Sequence, residues 1–234
     1  MIFLVYVNVK NLIHYEGISF HDEIHSKNIS FVALNNAWKY RIWGSNTISL
    51  SAAFLKGTSF DISGKNNVII VGPKVRLFNC KIKIIGDGNR LEIKGGSTII
   101  SNTFFWMQHG TNEIIIGHDS TIEGGHLAAI EGTKITVGDN CMFSSDIEIR
   151  TGDSHSIINT VSDKRINPSN DVIIGNHVWL TAHVRVMKGA VLPDNSIVGN
   201  FAIVTNKFDK ENSVYAGIPA KHIKDNINWD RYLI

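Results

Sequence analysis

Between Ile174 and Lys207 a branched aliphatic residue returns at every sixth position: Ile174, Leu180, Val186, Leu192, Val198 and Val204. Four places after each of the first five stands a residue compact enough for a tight corner: Val178, Val184, Ala190, Ser196 and Ala202. Neither the helical period nor the two-residue strand period produces this return. A six-residue unit of short strand plus corner predicts a parallel β-helix, whose faces are stacks of parallel strands. A longer unit runs upstream, in GKNNVIIVG, GDGNRLEIKG, GTNEIIIG, GTKITVG and SNDVIIG. Its aliphatic pairs Ile69/Val71, Leu91/Ile93, Ile114/Ile116, Ile135/Val137 and Val172/Ile174 recur after 22, 23, 21 and 37 residues. That is one coil of three hexads with a few extra turn residues, and then two coils. Six residues beyond each pair, Leu77, Ile99, Ile122, Phe143 and Leu180 mark the next face, with Val75, Ser97, Ser120, Cys141 and Val178 at the corner between. Roughly seven coils fit between Ile62 and Lys207, stacked about 4.8 Å apart. Gly, Asn and Asp after the aliphatics, as in Gly117-His118-Asp119 and Gly138-Asp139-Asn140, suit corners of positive φ.

The departures from the beat divide the chain. Residues 1–60 interleave aromatic and polar positions without it and are expected to cap the exposed edge of the first coil, the alternative being a role in acceptor recognition or oligomer contacts. Residues 61–210 form the β-helix, interrupted by a polar loop over 151–171 that carries Pro168. An irregular loop on a rigid scaffold is where chemistry is commonly placed. Residues 211–234 read as a turn, a Pro-containing strand-like link and a short helix from about Ala220, which closes the last coil.

Composition changes this picture little. With 43% hydrophobic and 19% charged residues the chain is ordinary for a globular protein. Lys and Arg number 23 against 21 Asp and Glu, so no charge excess favours nucleic acid or an anionic membrane. The opening MIFLVYVNVKNLIHYE has no basic leader, too short an apolar run and no small-residue cleavage site, so neither signal peptide nor membrane span is expected and the chain is placed in the cytoplasm. Cys80 and Cys141 are then reduced thiols.

The hexad run, the NHVWLTA segment, the upstream GDSHSI with its INP-containing loop and the terminal AGIPAKHIK together resemble the hexapeptide-repeat acyltransferases of the left-handed β-helix superfamily. Within it the chain is similar to bacterial O-acetyltransferases of sugars, including those that modify sialic acid and other surface or capsular polysaccharides. The resemblance spans about Ile62 to Lys224, is strongest from Val137 onward, and leaves out the first 60 residues. It implies a left-handed coil, although general sterics favour right-handed crossovers. It also implies a homotrimer with active sites between subunits, acetyl-coenzyme A as donor, no metal, and a sugar or oligosaccharide acceptor.

Transfer to a hydroxyl needs a base, because an alcohol is a poor nucleophile near neutral pH, and imidazole suits that task. His155 follows Asp153-Ser154 in the polar loop and matches the catalytic histidine of the family. Trp179 matches the tryptophan that lines the site beside it. Amides of Gly152 and Ser154, and of Thr181 and Ala182, are candidates for holding the thioester and a developing oxyanion. Asp153 could orient the imidazole, though a backbone carbonyl would serve equally. Along the coenzyme the resemblance implies Ala182, Asn200, Thr205 and Lys221, and basic Lys207 and Lys224 cluster nearby as phosphate partners. Many relatives read VTK where this chain reads Val204-Thr205-Asn206-Lys207, which displaces the lysine by one place. His177 and His183, six apart, fall on different sides of one coil and cannot share a metal within one chain, which argues against a carbonic anhydrase of related fold. Two other functions fit parts of the pattern: N-acetylation of an amino-sugar nucleotide, and a non-catalytic β-helix scaffold.

Overall fold

The computed structural model describes residues 41–233, together with the backbone of residues 18–20, 23–26 and 40. The chain winds as a three-faced prism, and every coil visits the faces in the same order. The first face stacks Tyr40–Trp43, Ser59–Ser63, Lys81–Ile85, Thr103–Gln108, Gly125–Ile130, Ile147–Arg150, Arg185–Val186 and Ile203–Val204. The second stacks Asn46–Ser49, Val68–Val71, Arg90–Ile93, Glu113–Ile116, Lys134–Val137, Val172–Ile174 and Val191–Leu192. The third stacks Ala53–Lys56, Arg76–Phe78, Ile99–Ser101, Thr121–Ile122, Met142–Phe143, Trp179–Leu180, Ile197–Val198 and Val214–Ala216. These strands all pair in parallel, so each coil is held to the next by backbone bonds along three walls. Among the described residues there is no α-helix, and hence no helix long and apolar enough to cross a membrane.

Alternation decides which side chains fill the prism. In Arg90–Ile93, Leu91 and Ile93 are fully buried while Arg90 and Glu92 face outward. Leu91 pairs with Ile69 and Ile114, and Ile135 with Ile114 and Val172, as the sequence repeat predicts. One coil departs by a single residue. Ile100, not Ile99, continues the buried column of Leu77 and Ile122, and Thr98, not Ser97, fills the corner. The extra residue is absorbed at Gly95-Gly96, where Gly96 has φ +87°.

Two expectations at the ends are corrected. Parallel pairing begins at Tyr40, so the boundary expected at residue 60 falls inside the coil. Two antiparallel strands, Ile18–Phe20 and Glu23–Ser26, pair with Ala53–Lys56 and Asn46–Ser49; the rest of the expected cap lies outside the described residues. The short C-terminal helix is absent, and Lys221–Lys224 instead forms an antiparallel strand on Val214–Ala216. Gly217, at φ +101°, and Pro219 turn the chain back, and the open edge of the last coil offers backbone partners that a helix would leave unused.

A buried polar column runs inside the corner between the first and second faces. Asn46, Asn67, Asn89 and Asn112 stack there, and the Nδ2 of each of the last three donates to the Oδ1 of the asparagine one coil earlier at 2.8–2.9 Å. The same oxygens accept backbone N–H groups of Asn67, Asn89 and Asn112. Asn112 Oδ1 then takes the amides of Gly132 and Thr133, and Thr133 donates to Thr151 Oγ1 at 2.6 Å. Amides buried this deeply are tolerated because each is paired. Asn89→Ala removes bonds on both sides of its coil and is expected to cost about 1–3 kcal/mol. For a chain of this size that lowers the melting temperature by about 2–12 °C, and an unchanged melting curve would deny the column its structural role.

Candidate active site

The polar loop leaves the prism at the corner where the asparagine column ends. Thr151 is fully buried, its Oγ1 accepts the Ile130 amide at 3.0 Å, and its carbonyl accepts the Asn170 amide at 2.8 Å, which closes the loop at its root. Gly152 is also buried, and a Cβ there would lie 2.2 Å from Ser169 Oγ and 2.7 Å from Ile130 Cδ1, so a larger residue would have to displace both side chains. Beyond them the chain forms an antiparallel hairpin: Ile158 bridges Arg165, the Ile166 amide donates to the Ile157 carbonyl at 2.9 Å, and Asn159 Oδ1 accepts the amides of Val161 and Ser162 at the tip.

His155 is exposed on the first limb of this hairpin. Its position is set through Asn167, a buried residue that the sequence reading passed over except as part of the INP stretch. Asn167 Nδ2 donates to the His155 carbonyl at 2.8 Å and to Asp153 Oδ2 at 2.7 Å, while its Oδ1 accepts the Ile157 amide at 2.7 Å. Asp153 Oδ2 also accepts from Lys188 Nζ at 2.5 Å. That bond is the main reason its carboxyl sits below the usual carboxylate range, and it ties Asp153 to the coil rather than to the imidazole. Ser154, at φ 65°, accepts from Arg150 Nη2 at 3.0 Å.

The second limb is pinned by an ion pair. Arg165 makes a two-point contact with Glu131, at 2.6 and 2.9 Å, and Ser169 Oγ adds a third bond at 2.7 Å. Hydrogen bonding from Arg165, then from Ser169, holds the Glu131 carboxyl down at about 2. Lys207 shares a cleft of about 350 Å³ with the loop root, lined also by Thr133, Ser169, Asp171, Ile173 and Gly189.

The other expected site residues lie elsewhere. Trp179 starts a strand of the third face, which is opposite the corner that bears His155. It is half-buried rather than fully outward, and its ring packs at 6.1 Å on Trp229. Ala182 and Asn200 sit at the corner between the third and first faces, and Thr205 follows the last strand of the first face. The Thr181 amide and hydroxyl both donate to the Val198 carbonyl, at 3.1 and 2.6 Å, so that amide is spent on the ladder. Among the described residues, none accepts from the Ser154 or Ala182 amides. Lys221 and Lys224 are exposed on the edge strand of the third face. His177 and His183 occupy different corners, the first stacked on Trp229 and the second on Phe201, with His183 Nδ1 2.8 Å from Asp146 Oδ2. One chain therefore gathers Gly152, Asp153, Ser154, His155 and Lys207 at one corner and keeps Trp179, Ala182 and Asn200 away from them.

Known proteins with this architecture agree in sequence as well as shape. The chain is 33% identical over 188 residues, 80% of its length and 86% of the relative's, to a polysialic acid O-acetyltransferase of Neisseria meningitidis. It belongs to the hexapeptide-repeat O-acetyltransferases. The solved structure of the polysialic acid O-acetyltransferase OatWY superposes with a TM-score of 0.78 at 32% identity, over 81% of this chain and 89% of that one. The polysialic-acid-specific acetyltransferase NeuO gives 0.62 at 30% identity, over 75% and 90%. No protein-family model matches the chain. Family membership fixes the left hand of the coil, against the general preference for right-handed crossovers.

The pinning of the hairpin has a measurable consequence. Glu131→Gln removes the charge partner of Arg165, and trypsin is expected to cut after Lys164 or Arg165 about fivefold faster, with the coil intact. In the unmodified protein the low-lying Glu131 carboxyl makes the brace fully present above about pH 4.5, and it is lost as pH falls through about 2. Hydrogen exchange of the loop amides should show protection persisting to pH 4.5 and fading below it; loss of protection already at pH 6 would contradict the assignment.

Proposed function

We propose that the protein transfers the acetyl group of acetyl-coenzyme A to a hydroxyl of a bacterial surface polysaccharide, in a groove between neighbouring chains of a homotrimer. The relatives named for polysialic acid make an α-keto-acid sugar polymer the first acceptor to test. His155 of one chain acts as general base, and Trp179 of the next chain lines the groove beside it. The observation that carries this reading is the separation of the two residues: a corner and the face opposite it cannot be brought together within one prism. The hairpin supports it further, because Ile157, Ile158, Val161 and Ile166 expose 54, 46, 95 and 57% of their surface. Four apolar side chains on one hairpin suit burial against another chain.

In the reaction the acceptor oxygen attacks the thioester carbonyl carbon while the imidazole of His155 takes the hydroxyl proton. The tetrahedral intermediate bears its negative charge on the former carbonyl oxygen, where the Ser154 or Ala182 amide can donate. Collapse breaks the C–S bond, and the departing thiolate receives the proton from His155. No acyl-enzyme forms. Ala182, Asn200 and Thr205 line the path of the pantetheine arm, and Lys207, Lys221 and Lys224 offer cations to its phosphates. Asp153 braces the loop, and Gly152 lets it pack. The reaction takes place in the cytoplasm, where the donor is available.

His155→Ala is expected to lower acetyl transfer to a sialic acid oligomer by about 10²–10⁴-fold, read as thiol release and as acetyl mass gain on the acceptor. Oligomeric state and a thermal shift by the coenzyme should stay as in the parent protein. Full activity of this variant would overturn the assignment of the base.

A further inference from the structure

The chain past the last coil does not end at the edge strand. After Lys221–Lys224 it turns back along the corner between the second and third faces and crosses three coils as a strap. The Ile227 amide donates to the Asn212 carbonyl at 3.0 Å, which starts the crossing. Trp229 is then 6% exposed, an unusual depth for a side chain outside the prism. Its indole stacks on His177 at 4.0 Å and 5°, and its Nε1 donates to the His177 carbonyl at 2.8 Å. The His177 ring is fixed in turn: Nδ1 lies 2.9 Å from Asn140 Nδ2, and Nε2 lies 3.1 Å from both Asn228 Oδ1 and the Trp229 carbonyl. All of these contacts are met when Nδ1 accepts and Nε2 donates.

Arg231 locks the far end. Its guanidinium donates to the carbonyls of Asp119 and Cys141, at 3.1 and 2.9 Å, to Thr121 Oγ1 at 2.8 Å, and to Asn140 Oδ1 at 3.3 Å, and it lies 5.8 Å from the Trp229 ring. The strap is thus tied to three successive coils. Trp229 also meets Trp179, at 6.1 Å and 48° between the rings. Strand pairing fixes the Trp179 backbone, whose amide donates to Ser196 at 2.8 Å, but sets no limit on the ring. A tilted aromatic neighbour that cannot itself move supplies that limit.

We propose that Trp229 is a positioning residue for acetyl transfer: by packing against Trp179 it holds that ring in the orientation that seats the acceptor. The proposal rests on the reading that Trp179 lines the groove. A strap contributing only to stability would alter the melting temperature or the amount of folded enzyme, and so kcat, with both KM values intact. A positioning role raises the acceptor KM and leaves the coenzyme KM alone.

The experiment compares Trp229→Ala, Trp229→Phe, Arg231→Ala and Trp179→Ala in the full chain, with sialic acid oligomers and acetyl-coenzyme A as substrates. Trp229→Ala is expected to raise the acceptor KM roughly tenfold, within the penalty that a 1 Å misplacement can carry, with the coenzyme KM unchanged. Trp229→Phe should recover most of that loss, and Arg231→Ala should raise the acceptor KM about threefold by loosening the strap. A folded Trp229→Ala protein with the parent acceptor KM overturns the proposal. If that variant fails to fold, a parent KM in folded Arg231→Ala overturns it. Full activity of Trp179→Ala would sink the underlying reading of the groove, whereas an inactive Trp179→Ala beside an unaffected Trp229→Ala would sink the positioning role alone.

Discussion

Asn46, Asn67, Asn89 and Asn112 stack inside one corner of the prism, each bonded through its side-chain amide to its neighbour in the next coil. A buried primary amide left unpaired is costly, so the column admits one axial register and one depth for each turn. Its last members are Thr133 and Thr151, and Thr151 is the residue from which the hairpin departs. The position of His155 is therefore inherited from a structural column many coils long. Catalytic geometry of this kind calls for a rigid support, and the loop obtains one at its root without having regular structure of its own.

From that root two devices carry the order outward. Asn167, at the end of the second limb, holds the first limb by donating to the His155 carbonyl, and the Arg165–Glu131 pair binds the second limb to the coil. What they present is an exposed imidazole on a hairpin whose apolar side chains are also exposed. The opposite face presents Trp179, braced by Trp229. On the proposed reading each chain is half of a site twice over, with the base at one side and the aromatic wall at the other. A heterologous contact closing on itself after three copies would join each half to its complement.

Much of this was legible in the hexads. The interior columns are aliphatic because a narrow prism admits little else, and that constraint repeats every six residues where corners are uniform. It failed at Ile99, where Gly95-Gly96 inserts one residue, and at the C-terminus, where Ala220 to Lys224 would suit a helix but meets an open sheet edge. Tyr40 to Ser63 belongs to the coil although its side chains mask the beat. Three members of the asparagine column were in view two places before the aliphatic pairs of their coils, yet a polar residue before a strand ordinarily signals a turn on the surface. The roles proposed for His155 and Trp179 come from family likeness, not from any local physical signature. Asn167, Glu131 and Trp229 act through partners distant in sequence, and no short pattern announces them.

The central claim is that the chemistry is assembled between chains, and mixing defective chains tests it most directly. His155→Ala and Trp179→Ala proteins, each inactive alone, would be dissociated, combined in equal amounts and reassembled, and acetyl transfer measured. If each groove takes its base from one chain and its tryptophan from the next, about a quarter of the grooves in the mixture are intact and activity returns in that proportion. Mixed oligomers that form and remain inactive would contradict the account.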